Sequence, residues 1–153
     1  MEHNGLKAIT RSDIDKVVAL RIEIFKDIGK IQSLEEEALK VVNKRYMDEL
    51  FDKNCFCGFY EEAHGKIISI ALGVILAFPP INMENQGIRG YIFNVYTDKE
   101  YRNQGKASRL TQKLVDELKG RGASKIELDA NESSTKIYEK IGFMQSANHM
   151  FCL

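Results

Sequence analysis

The sequence has no surplus of charge of one sign and no long hydrophobic run. Lysine and arginine together number 22, and aspartate and glutamate also number 22. This balance gives no general reason to expect nucleic acid or an acidic membrane surface as a partner. The longest apolar stretch, Ile67 to Pro80, is interrupted by Ser69 and Gly73 and is too short to span a bilayer. We therefore expect neither a nucleic-acid nor a membrane partner.

The sequence contains only three cysteines, Cys55, Cys57 and Cys152. An odd number of cysteines, in a chain whose first residues lack the apolar core of an export signal, predicts reduced thiols and a cytoplasmic location. Cys55 and Cys57 form a C-x-C pair without further Cys or His partners, which is a poor metal site. The histidines are scattered along the chain, so we expect no bound metal.

Hydrophobic periodicity and turn signals predict the element order β-α-α-β-β-β-α-β-α-β. We expect strands at 6–10, 55–61, 66–78, 91–98, 125–131 and 149–153, and helices after Ser12, from Ser33 to Phe51, over 104–121 and over 135–141. Ser12 with Asp15, and Ser33 with Glu36, have the spacing of capping boxes. The order predicts one domain over residues 1–153, of α/β class (α+β mixed), with a mixed sheet between helices on both faces.

A turn containing a single glycine joins the strand at 91–98 to the longest C-terminal helix. Its sequence is Arg102-Asn103-Gln104-Gly105-Lys106-Ala107. Unpaired N–H groups and the positive end of the helix dipole converge at such a turn, which predicts a phosphorylated ligand. A Walker A loop would require glycine in place of Glu100 and Ser or Thr in place of Ala107. A dinucleotide fingerprint would require three glycines, so both of these nucleotide motifs are excluded.

Two motifs follow one another in the C-terminal half of the chain. The turn fits R/Q-x-x-G-x-G/A through Arg102, Gly105 and Ala107. The second motif, N-x-x-A-x-x-x-Y-E-K-x-G-F, is matched by Asn131, by Ser134 in place of the usual alanine, and by Tyr138-Glu139-Lys140-Ile141-Gly142-Phe143. On these residues the chain resembles the GNAT superfamily of acyl-CoA-dependent N-acyltransferases, by motif over residues 90–144 and by element order over the whole chain.

The resemblance implies a GNAT-like fold with a central mixed, mostly antiparallel sheet and acetyl-CoA as cosubstrate. Two strands, at 91–97 and 125–131, would splay apart and admit the pantetheine arm, while the amides of 103–107 would bind the pyrophosphate. Arg102 and Lys106 would add positive charge. The implied cofactor-binding residues are Val95, Tyr96, Thr97, Arg102, Asn103, Gln104, Gly105, Lys106, Ala107, Ser108, Asn131 and Ser134.

The resemblance also implies a catalytic role for Tyr138, as the general acid that protonates the departing thiolate. A backbone N–H near Val95 would steady the oxyanion. Each of these residues has a structural alternative: a solvated charged turn for the loop, core packing for Tyr138, and helix capping for Asn131 and Ser134.

The general base is left open by the sequence. The pantetheine strand carries Asn94 but no carboxylate, and an amide does not accept a proton usefully. Glu127 and Asp129 on the neighbouring strand could act through water, solvent itself could act, or both carboxylates could lie on a solvated outer face.

The resemblance implies transfer of an acetyl group to a primary amine of a small molecule or peptide, by direct attack in a ternary complex. A non-catalytic acyl-CoA sensor and a phosphate-binding scaffold are the alternatives. The acceptor pocket is expected between the first two helices and the 78–90 loop, with Arg21, Glu23 and Tyr46 as candidates. A homodimer is possible through the final strand at 149–153.

Overall fold

The computed structural model describes residues 4–153, and side chains from Gly5 onward. The strands and helices follow one another in an order close to the expected one. In chain order they are β1 (Asn4–Ala8), α1 (Ile14–Asp27), α2 (Glu36–Asp52), β2 (Phe56–Ala63), β3 (Lys66–Ala77), β4 (Ile88–Thr97), α3 (Lys106–Gly120), β5 (Lys125–Leu128) and α4 (Glu132–Ile141).

The strands form one sheet in the order β1-β2-β3-β4-β5. Every neighbouring pair from β1 to β4 is antiparallel, and β5 adds parallel to β4. The parallel pair is possible because α3 forms the crossover between β4 and β5. The mixed, mostly antiparallel sheet expected from the sequence is therefore confirmed.

The sheet is covered on both faces, as expected. Side chains of β2, β3 and β4 alternate between a core against α1 and α2 and a second core against α3. Helix α3 approaches the second face closely, because a Cβ on Gly90 would lie 2.9 Å from Leu118 and one on Gly73 would lie 3.1 Å from Leu114. Two glycines thus let α3 pack tightly against β3 and β4.

The expected final strand is wrong. Residues 149–153 form no strand, and Met150 and Phe151 are exposed. A short apolar run takes strand structure only when a sheet edge pairs with it, which the local pattern does not reveal. The homodimer stays a prediction, without the strand that supported it.

Both expected capping boxes are displaced by one or two residues. The N–H of Thr10 donates to Asp13 Oδ2 at 2.8 Å, and the N–H of Gln32 donates to Glu35 Oε2 at 3.2 Å. A 3₁₀ turn precedes α1 and α2 in each case, so the chain begins to coil earlier than the helical periodicity predicts.

Candidate active site

A β-bulge in β4 changes which residues face each side of the sheet. Between the paired residues Phe93 and Tyr96, the two residues Asn94 and Val95 oppose a single residue of β3. Asn94 takes the left-handed conformation, with φ of 49°. As a result Phe93 and Tyr96 both pack on the α1/α2 face, while Val95 packs on the α3 face.

The bulge lies where β4 and β5 cease to pair. The last ladder pair joins Ile92 to Leu128, yet β4 continues to Thr97. Beyond Ile92, one side of β4 therefore has no neighbouring strand among the described residues. We call this gap between β4 and β5 the strand opening.

The backbone of β4 directs hydrogen-bonding groups into the strand opening. Alternate residues of a strand direct these groups to opposite sides. The N–H of Asp98 donates to a β3 carbonyl at 2.8 Å, and the carbonyl of Tyr96 accepts from a β3 serine hydroxyl at 3.0 Å. Thr97, which alternates with these residues, therefore turns its N–H group toward the opening, and Val95 lies at the bulge beside it.

The turn between β4 and α3 presents a set of unpaired N–H groups. Gly105 is the residue before α3 and takes the left-handed conformation, with φ of 71°. Asn103 is also left-handed, with φ of 60°. Within the described part of the chain, the N–H groups of residues 103–108 donate to no protein acceptor. Together with the helix dipole, they form a site suited to an anion.

The two basic side chains of the turn have structural partners. Arg102 is exposed, and its Nε donates to the Thr97 carbonyl at 3.0 Å. Lys106 is buried, and its Nζ lies 2.5 Å from Glu61 Oε2. The expectation that Lys106 adds positive charge to the surface of the turn is therefore corrected, because its ammonium points into the protein and pairs with Glu61. The backbone N–H of Lys106 remains part of the anion site.

Tyr138 is buried in α4, with only 8% of its surface exposed. Its ring packs edge-on against Phe143, at 6.0 Å between ring centroids. Burial raises the pKa of Tyr138 above its usual value, and the Ser134 side chain opposes that effect only in part. The hydroxyl is therefore protonated at neutral pH, as a proton donor must be. Core packing and proton donation are compatible here.

The start of α4 is capped by the residues expected to bind pantetheine. Asn131 Oδ1 accepts the Ser134 N–H at 2.9 Å, and Ser134 Oγ accepts the Asn131 N–H at 3.1 Å. The capping alternative is therefore confirmed for both residues. The Asn131 side-chain NH₂ group donates to no acceptor among residues 4–153 and is left for other contacts.

The two carboxylates considered as bases have different surroundings. A hydrogen bond from Lys125 lowers the pKa of Glu127 and is opposed by partial burial, while the charge of Arg89 acts in the same direction as Lys125. Asp129 Oδ2 accepts a 2.7 Å hydrogen bond from the hydroxyl of Tyr91. Asp129 follows directly after β5 and is exposed beside the strand opening.

Arg21 joins both N-terminal helices to β4. Its guanidinium lies 5.3 Å from the ring centre of Phe93, and its Nε donates to Asn43 Oδ1 at 3.1 Å. Burial lowers the pKa of Arg21, and the nearby Tyr46 opposes this effect. Of the three acceptor-pocket candidates, Arg21 and Tyr46 are thus brought together, while Glu23 is exposed on α1.

Comparison with known proteins identifies the family. The sequence model of the acetyltransferase (GNAT) family matches residues 24–143. The chain belongs to the GNAT acetyltransferase family. A predicted acetyltransferase from Clostridium acetobutylicum, solved with acetyl-CoA, superposes with a TM-score of 0.84 at 27% identity, over 97% of this chain and 95% of that one. The expected family and fold class are both confirmed.

Curated relatives match shorter segments of this GNAT chain. N-alpha-acetyltransferase 30 of Schizosaccharomyces pombe is 46% identical over 59 residues, which is 37% of this chain and 39% of that protein. The [ribosomal protein bS18]-alanine N-acetyltransferase of Haemophilus ducreyi is 35% identical over 35% of this chain and 39% of its own length. Glucosamine 6-phosphate N-acetyltransferase of Arabidopsis thaliana is 28% identical over 65% of this chain and 64% of its own length. The chain spans less than two thirds of each of these relatives.

Two further properties concern the described residues alone. No group of three or more His, Cys, Asp or Glu side chains in residues 4–153 is arranged to hold a metal ion. No helix in this range combines the length and apolarity that a membrane crossing requires.

Three residues near the site were missed by the sequence reasoning. Tyr91 holds Asp129, Ser69 binds the Tyr96 carbonyl, and Glu61 pairs with Lys106. A signal existed for Ser69, which is the only polar side chain in an apolar run. No local signal existed for Glu61 or Tyr91, because their partners are distant in sequence.

Proposed function

We propose that this chain is an acetyl-CoA-dependent N-acetyltransferase that transfers an acetyl group to a primary amine. The observation that carries the proposal is the set of unpaired N–H groups at residues 103–108, at the end of a strand whose open side is free to bind an extended ligand. Membership of the GNAT family supports this use of the site.

The proposed ligand fits the chemistry of both halves of the site. The N–H groups of the turn complement the oxygens of a diphosphate, and the αL conformation of Gly105 aims them outward without a Cβ above them. The N–H groups of Val95 and Thr97 complement the amide carbonyls of a pantetheine arm, as a neighbouring strand would. We also assign the Asn131 NH₂ group to this arm.

Bound acetyl-CoA would supply a thioester carbon that an amine attacks directly. The protein then stabilises the oxyanion and protonates the leaving sulfur. The Val95 N–H at the bulge steadies the oxyanion, and Tyr138 delivers a proton to the leaving sulfur. Direct attack fits the state of Cys57, because burial raises the pKa of that thiol to about 11 and keeps it protonated. A protonated, buried thiol is a poor nucleophile.

The proton lost by the attacking ammonium goes, in our proposal, to Asp129 through water. The hydrogen bond to Asp129 and partial burial raise the pKa of Tyr91 to about 12, so Tyr91 stays neutral and serves as a donor that orients the carboxylate. Glu127 is less suitable, because its carboxylate is already paired with Lys125 and Arg89.

The acceptor class is a primary amine, presented on the α1/α2 face of β4 beside Arg21 and Tyr46. Relatives named for acting on the alanine of a ribosomal protein and on glucosamine 6-phosphate suggest two acceptor chemistries to test, a peptide N-terminus and an amino sugar. Both present an amine that must lose a proton before attack.

Calorimetry and a thiol-release assay together test the proposal. We expect coenzyme A to bind more tightly than ADP, because only coenzyme A carries an arm for the strand opening. We also expect free thiol to appear when acetyl-CoA is incubated with one class in a panel of peptides, amino sugars and polyamines. Equal binding of ADP would favour a phosphate-binding scaffold. Tight coenzyme A binding without turnover on any amine would favour a sensor.

A further inference from the structure

A buried ionic cluster lies beneath the start of α3. Glu61 on β2 is only 7% exposed, and its Oε2 lies 2.5 Å from the Nζ of Lys106, which is 4% exposed. Its other oxygen accepts at 2.9 Å from Nη2 of Arg109, whose own side chain is exposed at the surface above the buried pair. Burial alone would raise the pKa of Glu61, but the hydrogen bonds from both cations outweigh it, and the pKa lies below its usual value.

The position of Lys106 makes this cluster unusual. Lys106 is the first residue of α3, where the positive end of the helix dipole disfavours a cation, and the first turn of α3 contains no acidic residue. A lysine is almost never buried without a partner. Glu61 is therefore the countercharge that makes the conformation of Lys106 possible.

The cluster also connects to the turn that presents the N–H groups. Arg109 donates through Nη1 to the Gln104 carbonyl at 3.3 Å, while its other nitrogen holds Glu61. Glu61 thus reaches the turn by two routes, through Lys106 at the first residue of the helix and through Arg109 at Gln104. Gly105 supplies no side-chain cap, so these contacts replace the usual local restraint.

We propose that Glu61 is a positioning residue for diphosphate binding, one that fixes the N–H groups of residues 103–108 without touching the ligand. This inference rests on the proposed function, since it assigns the turn to the diphosphate of coenzyme A. The competing explanation is purely electrostatic: a carboxylate beneath an anion site repels the anion and weakens binding. The two explanations predict opposite effects when the charge of Glu61 is removed.

The decisive variant is Glu61→Gln, with Glu62→Gln as the matched control. Glu62 is the next residue of β2 and pairs with Lys7 and Lys16, away from α3. If Glu61 positions the turn, Glu61→Gln raises the calorimetric Kd for coenzyme A by about tenfold. It raises the KM for acetyl-CoA similarly, whereas kcat and the KM for the amine change less than about twofold. Glu62→Gln leaves all four constants unchanged. Tighter or unaltered coenzyme A binding by Glu61→Gln would overturn the inference.

A double variant, Glu61→Met with Lys106→Met, distinguishes positioning of the turn from the charge of Glu61. It also provides a test if Glu61→Gln folds poorly. Replacing a buried ion pair by apolar side chains of similar size often preserves stability. Arg109 still donates to the Gln104 carbonyl in this variant, and no buried Lys106 ammonium is left without a partner. If Glu61 acts by positioning the turn, the double variant therefore keeps its melting temperature and a Kd within about threefold of the parent. A normal melting temperature with binding as weak as in Glu61→Gln would overturn the inference. Failure of the unaltered protein to bind coenzyme A would instead refute the proposed function.

Discussion

At the scale of single residues, Gly105 contributes a backbone conformation that other residues adopt only with strain. Its φ of 71° lies in the left-handed region, and a Cβ built there would meet no atom within 4 Å. Substitution therefore costs backbone strain and no steric clash. The conformation matters because it turns the neighbouring N–H groups toward the solvent side of the turn, where an anion would bind.

We predict that Gly105→Ala weakens coenzyme A binding by about fivefold, since αL strain of about 1 kcal/mol opposes the binding conformation. The melting temperature should fall by about 2–4 °C. Gly65→Ala is the control, because Gly65 has a similar φ of 76° and equally open surroundings, in the β2–β3 turn. It should lower the melting temperature comparably and leave the calorimetric Kd unchanged. Equal Kd values for both variants would remove Gly105 from the site.

Tyr138 is the residue proposed to donate the proton to the leaving sulfur. We predict that Tyr138→Phe lowers kcat by about 100-fold, because the variant keeps the ring that packs on Phe143 and loses only the proton donor. The Kd for coenzyme A should change less than about twofold. Steady-state kinetics and calorimetry on the same preparation measure both values. An unchanged kcat would leave Tyr138 with a packing role alone.

Asp129 is tested by the pH dependence of turnover. We predict that Asp129→Asn lowers kcat/KM for the amine most strongly near neutral pH and moves the rising limb of the pH profile to higher pH, because a larger fraction of the amine must then be deprotonated by solvent. Glu127→Gln is the matched control, since Glu127 faces Lys125 and Arg89. If the pH profile of kcat/KM keeps its shape in Asp129→Asn, solvent rather than Asp129 acts as the base.

At the scale of elements, the bulge in β4 sets which of its residues face the proposed acetyl-CoA site and which face the proposed acceptor site. Asn94 supplies the left-handed residue that the bulge needs, and asparagine tolerates that conformation better than most residues. The bulge turns Val95 to the α3 face and Tyr96 to the α1/α2 face. The proposed acetyl-CoA site and the proposed acceptor site therefore adjoin each other at the bulge in β4.

We predict that Asn94→Val destabilises the protein by about 1–3 kcal/mol, because a β-branched side chain strains the left-handed backbone. It should also lower kcat by shifting the Val95 N–H from the oxyanion. Asn94→Gly, which accepts φ of 49° without strain, should retain most of the activity. Thermal denaturation and thiol release compare the two variants. Equal behaviour of valine and glycine would show that the bulge conformation is not required.

At the scale of the whole molecule, ion pairs join elements that are distant in sequence. Glu61 links β2 to α3, and Glu62 links β2 to β1 and α1. Asp13, just before α1, accepts a hydrogen bond from Tyr60 of β2 and a local one from Thr10. For Asp13 burial acts in the opposite direction, yet the hydrogen bonds prevail and its pKa is lowered. Hydrogen bonding to Lys16 chiefly lowers the pKa of Glu62.

Lowered carboxyl pKa values predict acid-labile stability. A group whose folded pKa lies below its unfolded pKa stabilises the fold above the unfolded value, and this contribution is lost as the pH falls through the folded value. We therefore expect a constant melting temperature from pH 7 to about pH 5, and a decline below it. Glu61→Gln should show a shallower decline than the parent. A melting temperature that rises on acidification would contradict the assignment of these pairs.

The two motifs assigned to the proposed site follow from local patterns in the sequence. The turn at 102–107 and the N-x-x-A-x-x-x-Y-E-K-x-G-F motif depend on backbone conformation and spacing, which short sequences encode directly. For the same reason, the sheet class, the helix on each face and the position of the long C-terminal helix agree with expectation, within a few residues at the boundaries. The final strand failed because its formation depends on a partner edge.

The tertiary structure alone decided which side chains meet. The resemblance implies that Lys106 adds positive charge at the turn, yet its ammonium pairs with Glu61 on β2 and points into the protein. The sequence near Lys106 gives no sign of that partner, because Glu61 is distant in the chain. The bulge at Asn94 likewise depends on the register between β3 and β4. Sequence therefore determined the family and the place of the proposed anion site, because both depend on local patterns. Contacts between distant residues determined the orientation of its charges.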